Sequence, residues 1–72
     1  MNQNYASHQA PLETKSLSFL EETMTFEALA AKKCLAYAGQ LTEPPLQDMA
    51  NQLAQRHRAH FDALYSYLEN HR

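Results

Sequence analysis

Three residues combine the side-chain types and spacing of a metal-ligand set: Glu27, His57 and His60. Carboxylate and imidazole groups together bind divalent ions such as zinc, iron, manganese and nickel. His57 and His60 are three residues apart, which places both rings on one side of a helix. The same side chains are also able to pair with one another as an internal polar cluster. The sequence leaves both interpretations open.

All three residues interrupt apolar rows that repeat every three or four residues, the spacing of one helix face. The first row contains Leu17, Leu20, Met24, Glu27, Ala31, Cys34, Ala38 and Leu41, and the second contains Leu46, Ala50, Leu53, His57, His60, Leu64 and Tyr67. If the chain turns near Thr42, Glu27 and His57 each lie fifteen residues from the turn. An antiparallel hairpin then places both at one level, roughly 22 Å from the turn, with His60 one helical turn beyond.

The composition predicts an all-α protein. The chain of 72 residues contains no valine, isoleucine or tryptophan and is rich in alanine, leucine, glutamine and glutamate, which favour helices. A formal charge of -2, spread along the chain, indicates no nucleic-acid surface and no basic helix for a membrane surface. The sequence shows no signal peptide and no membrane-spanning run. We therefore expect cytoplasmic synthesis, with Cys34 as a buried reduced thiol.

Proline and glycine positions divide the chain into an arm and one hairpin domain. Residues 1–11 are polar and are predicted to form a flexible N-terminal arm. Residues 12–72 are predicted to form the hairpin, with Gly39 as the C-terminal cap of its first helix. Pro44 and Pro45 suit the first turn of the second helix. The short connection between the helices makes them antiparallel neighbours.

A second apolar row on the first helix predicts that the hairpin pairs with a second copy. This row contains Phe19, Thr23, Phe26, Ala30, Lys33 and Tyr37, and the second helix adds Met49, Phe61, Tyr65 and Leu68 beside its main row. The chain has no third helix to cover these side chains. A homodimeric four-helix bundle covers them, and its axis gathers two copies of Glu27, His57 and His60.

The segments ETMTFEALAAKKC (22–34) and RHRAHF (56–61) resemble the ferritin-like helical hairpin of the CotF-like spore coat proteins of spore-forming Firmicutes. The resemblance covers residues 16–69. It implies a ferritin-like fold, association with the spore coat or its assembly during sporulation, and no established enzymatic activity. Ferritin-like metal carriers place a Glu on one helix and a Glu-x-x-His on the next. Glu27 and His60 match two of these positions, whereas His57 replaces the second carboxylate.

These observations lead to one expected function and two alternatives. We expect a non-enzymatic, spore coat-like assembly protein that acts as a homodimer with other coat proteins, since the chain has no phosphate loop, nucleophile elbow or cysteine-pair zinc motif. The first alternative is a ferritin-like protein that binds zinc, iron or manganese through Glu27, His57 and His60. The replacement of a carboxylate by His57 argues against di-iron oxygen chemistry at that site. The second alternative makes the cluster purely structural.

Overall fold

Two long helices account for nearly all of residues 12–71, which are the part of the chain that the computed structural model describes. Helix α1 spans Thr14–Gln40 and helix α2 spans Pro44–Glu69, and the two pack against each other as a hairpin. No strand occurs within these residues. The predicted all-α hairpin is therefore confirmed, while the predicted arm lies outside the described residues. Within the same residues, neither helix is long and apolar enough to cross a membrane.

The connection between the helices is an extended segment followed by two prolines. The backbone of Leu41 is extended, and its N–H donates to the carbonyl of Tyr37 at 2.8 Å. The amide Nε2 of Gln47 donates to the carbonyl of Leu41 at 2.5 Å and ties the turn to α2. Pro44 and Pro45 occupy the first turn of α2, where a missing N–H costs no helical hydrogen bond.

The prediction that Gly39 caps α1 is wrong, because α1 continues to Gln40 and Gly39 does not adopt a positive φ. A Cβ added at Gly39 would have no heavy atom within 4 Å. The turn therefore needs no left-handed residue, and the glycine only adds backbone freedom to the unfolded chain.

Replacement of Gly39 by alanine should raise the free energy of unfolding by about 0.5–1 kcal/mol, because the unfolded chain then loses less entropy on folding. Urea unfolding at fixed chain concentration measures the change. Ala36→Gly is the matched control, since Ala36 is exposed in the same helix. This variant should lower the free energy of unfolding by a similar amount. A destabilised Gly39→Ala variant would contradict the helical placement of Gly39.

The apolar row predicted for the first helix does face α2, and we call it the inner row of α1. The inner row of α2, which faces α1, is rotated around the helix relative to the predicted row. Every residue of the α1 row is buried or half-buried. In α2 the side chains that face α1 are instead Gln47, Ala50, Ala54, His57, Phe61, Leu64 and Leu68. Leu53 is 42% exposed and Tyr67 is 51% exposed, whereas Ala54 is only 4% exposed. Small side chains such as Ala50 and Ala54 allow two helices to approach closely, so they displace Leu53 from the contact.

Most of the large exposed apolar side chains lie on one side of the hairpin, which we call the apolar face. At about 100° per residue, the following exposed residues fall on this side: Phe19, Phe26 and Tyr37 of α1 and Leu46, Met49, Leu53, His60 and Tyr67 of α2. Exposure of the apolar members ranges from 39% at Leu46 to 60% at Phe19 and Phe26. Phe19 and Tyr67 border one groove, so both helices contribute to the surface at that end of the hairpin.

The other side of the hairpin is more charged. Leu35 and Phe61 line a groove there together with Lys32, Arg58 and Asp62. The guanidinium Nε of Arg58 lies 3.9 Å from the Asp62 carboxylate. Phe19 and Leu35 are sixteen residues apart in α1, which separates them by about 160° around the helix at about 100° per residue. The hairpin therefore has one mainly apolar side and one mixed side.

Candidate metal centre

The structure brings Glu27, His57 and His60 together across the two helices, at the common level that the hairpin geometry predicts. The carboxylate oxygen Oε1 of Glu27 lies 2.5 Å from Nδ1 of His57. The other oxygen, Oε2, lies 3.3 Å from Nδ1 of His60. Candidate ligand atoms of the three residues all lie within 4.8 Å of one another. Among residues 12–71, no other set of three histidine, cysteine, aspartate or glutamate side chains is this close.

Burial decreases from the carboxylate outwards. The Glu27 side chain is 12% exposed and that of His57 is 24% exposed, whereas that of His60 is 60% exposed. A carboxylate removed from water needs hydrogen-bond donors or a positive charge nearby. The two imidazoles are positioned to supply them. His60 also belongs to the apolar face, so the cluster connects the interior of the hairpin with that surface.

The contact between Glu27 and His57 is a hydrogen bond that orients the carboxylate. An ionised carboxylate only accepts hydrogen bonds, so the Nδ1–H group of His57 donates to Oε1. The ring of Phe26 meets the ring of His57 edge to face, with centroids 6.1 Å apart. The rings of His57 and His60 are also nearly perpendicular, with centroids 6.2 Å apart. The contact of Phe26 with His57 was not predicted, because the sequence placed Phe26 only in the second apolar row of the first helix.

The two Glu27 contacts differ in their suitability for binding one ion. Zinc lies about 2.1 Å from oxygen and nitrogen ligands, so two ligands of a tetrahedral ion are about 3.4 Å apart. The 3.3 Å between Oε2 and Nδ1 of His60 matches this separation. The 2.5 Å between Oε1 and Nδ1 of His57 is too short for both atoms to bind the same ion. With these side-chain positions, Oε2 of Glu27 and Nδ1 of His60 have the separation of two ligands on one ion, whereas His57 is hydrogen-bonded to Oε1.

Among residues 12–71, Cys34 and His71 stand outside this cluster. Cys34 is half-buried and is the only cysteine of the chain. Nδ1 of His71 lies 2.8 Å from the carbonyl oxygen of Tyr67, and the His71 ring stacks on that of Tyr67 with centroids 4.0 Å apart. Because a carbonyl only accepts, the Nδ1–H of His71 is the donor. His71 therefore makes a local contact at the end of α2.

Comparisons with protein-family profiles, with curated proteins and with solved structures find no match to this chain. The resemblance to the CotF-like spore coat proteins therefore stays a prediction from the quoted sequence segments.

Proposed function

We propose that the chain is a non-enzymatic assembly protein whose hairpins pair into a homodimeric, ferritin-like four-helix bundle, as a spore coat component would. The single observation that carries the proposal is the apolar face. Phe19 and Phe26 each leave 60% of their surface in water on a hairpin that is otherwise well formed. Covering such a face with a second copy gains the hydrophobic free energy that the single hairpin forgoes.

The small interior of the hairpin gives the same proposal a thermodynamic reason. The buried apolar residues are Leu20, Ala31, Ala50 and Ala54, and among the described residues no side chain is less than 2% exposed. Domains of this size bury a small share of their surface and are marginally stable alone. A two-fold pairing adds a second layer of helices and turns the apolar face into a core.

Light scattering coupled to size-exclusion chromatography tests the pairing. We expect a mass near that of two chains, each of 8.3 kDa. Phe19→Glu should raise the dissociation constant of pairing at least about tenfold, because each copy would place a charge in the interface. Leu35→Glu is the matched control, since Leu35 is 58% exposed on the opposite side. A wild-type chain that stays a folded monomer, with and without divalent ions, would contradict the proposal.

The place in the spore coat rests on the sequence resemblance, and a separate experiment tests it. A fluorescent fusion of the chain, made in the cytoplasm of a sporulating Firmicute, should collect at the surface of the forming spore. Phe19→Glu should reduce this localisation if pairing is needed for assembly. Uniform fluorescence in the mother cell would remove the coat assignment and leave the pairing proposal standing.

Divalent-metal binding is a second candidate function, supported by the geometry of Glu27. Its carboxylate is buried, and its two oxygens face two imidazole nitrogens. Carboxylate and imidazole together suit zinc, iron and manganese.

Equilibrium dialysis against zinc, on protein purified without a histidine tag, tests this second candidate. We expect stoichiometric zinc binding. Glu27→Gln or His60→Ala should lower the zinc affinity at least about a hundredfold, because each variant removes a ligand. His71→Ala is the matched control, since His71 bonds to the Tyr67 carbonyl and stacks on its ring at the end of α2, away from the cluster. Weak zinc binding that none of these variants changes would reject the cluster as a metal site.

A further inference from the structure

The cluster lies at the midpoint of the hairpin. Glu27 is the central residue of α1, with thirteen residues of Thr14–Gln40 on each side. His57 is at the centre of Pro44–Glu69 to within one residue. This position matters for any symmetric pairing. Two hairpins that overlap along their full length bring their midpoints together, whether the two-fold axis crosses the helices or runs parallel to them.

Residues 12–71 of one chain supply an incomplete set of ligands for one ion. Oε2 of Glu27 and Nδ1 of His60 have the separation of two ligands on one ion, 3.3 Å. His57 is held in a hydrogen bond to Oε1 and is too close to that oxygen to join the same ion. A closed tetrahedral site needs four protein ligands. A second copy at the same level offers the missing two.

A divalent ion also balances the charges of the paired clusters. Pairing over the apolar face removes water from His60, whose side chain is 60% exposed in the single hairpin. It also isolates two Glu27 carboxylates near each other in a medium of lower dielectric constant, which is unfavourable without compensation. One divalent ion carries the charge that balances two carboxylates. Two neutral imidazoles complete the coordination without adding charge.

We infer that two copies of the chain share one divalent ion with the ligand and geometry preferences of zinc. Glu27 and His60 of each copy bind this ion tetrahedrally, so metal binding and pairing are coupled. His57 is a positioning residue, because it donates a hydrogen bond to Oε1 of Glu27, whereas His60 contacts the other oxygen, Oε2. Supporting carboxylate–imidazole contacts of this kind fix ligand orientation in many metal sites. The inference rests on both the pairing and the metal binding proposed above. It adds that one ion binds per two chains and that metal binding and pairing strengthen each other.

Cobalt titration and sedimentation of metal-free protein test the shared site. Cobalt replaces zinc as a spectroscopic probe, and a tetrahedral site should give intense visible absorption. Saturation should occur at about one ion per two chains. Zinc at saturation should lower the dissociation constant of pairing at least about tenfold relative to chelated protein, and by linkage pairing should tighten metal binding equally.

Substitutions at the three residues separate ligands from the positioning residue. Glu27→Gln and His60→Ala should abolish stoichiometric cobalt binding, and the exposed position of His60 makes the second variant a safe one for folding. His57→Ala should keep the stoichiometry and the tetrahedral spectrum but lower the affinity about 10–100-fold. His57→Asn, which restores an N–H donor near the position of Nδ1, should recover most of that loss. Equal affinity in His57→Ala and wild type would remove the positioning role.

Phe19→Glu tests the coupling without changing a ligand. Phe19 is on the apolar face eight residues before Glu27, about 12 Å along the helix. If the ion is shared, this variant should lose tight cobalt binding together with pairing, whereas Leu35→Glu should keep both. Cobalt binding that survives in a monomeric Phe19→Glu variant, or one ion per chain in wild type, would overturn the shared site and leave metal binding standing. If the dissociation constant of pairing is the same with zinc and with chelator, the coupling is overturned and the pairing proposal stands.

Discussion

Replacement of Glu27 by alanine should lower the free energy of unfolding by about 2 kcal/mol in metal-free protein, because it removes the acceptor of a charged hydrogen bond between the helices. The Glu27 side chain is 12% exposed, and its oxygens face His57 and His60. Loss of the carboxylate leaves His57 with an unmatched donor and a gap beside it. Alanine has the higher helix propensity, but this offsets only a few tenths of a kcal/mol.

Urea unfolding at one fixed chain concentration measures this loss, since pairing would otherwise change the apparent stability. Glu22→Ala is the matched control, because Glu22 is an exposed glutamate of the same helix and its removal should change stability by less than about 0.5 kcal/mol. Unchanged unfolding of Glu27→Ala would show that the cluster does not stabilise the metal-free hairpin.

A third variant separates a structural purpose of the cluster from a metal-binding one. Glu27→Met places an apolar side chain of similar length in the inner row of α1. Buried polar groups are often replaceable by apolar ones without loss of stability. If Glu27→Met folds as well as wild type but no longer binds zinc, then the carboxylate serves the metal rather than the fold. If it unfolds more readily and wild type binds no zinc, the cluster is structural.

The sequence predicts the level of the cluster because helix rise and loop length determine it. The turn at Thr42 and the uniform rise of two unbroken helices place Glu27 opposite His57. The contact of 2.5 Å between these two side chains agrees with that prediction. Which nitrogen faces which oxygen depends on side-chain torsions and on the small rotation of α2. Periodicity does not determine those quantities, so the separate roles of His57 and His60 emerge only from the structure.

The rotation of α2 shows why the prediction of its inner row was wrong. Leu53 and Ala54 both continue a row that runs through Ala50 and His57, and hydrophobicity alone favours Leu53. In the structure the smaller residue is inside, and Leu53 is on the apolar face. Close helix approach favours alanine at the contact, and this preference depends on the partner helix. The same rotation exposes His60, which is the feature that makes a shared metal site geometrically accessible.

Replacement of Ala54 by leucine should destabilise the hairpin by about 2 kcal/mol, because the added carbon atoms have no space between the helices. Ala54 is 4% exposed and is among the most buried residues of the described chain. The enlarged side chain would push α2 away from α1 one turn before His57. We therefore expect the hydrogen bond from His57 to Glu27 to lengthen and the affinity for cobalt to fall with stability.

Ala59→Leu is the matched control for this prediction. Ala59 is exposed on α2, so the same substitution should change the free energy of unfolding by less than about 0.5 kcal/mol. Urea unfolding and cobalt titration of both variants give the comparison. If Ala54→Leu is as stable as wild type and Leu53→Ala is the damaging change, the inner row of α2 is the one that hydrophobicity favours. His60 would then face α1 beside Glu27, and a single chain would hold the ion without a second copy.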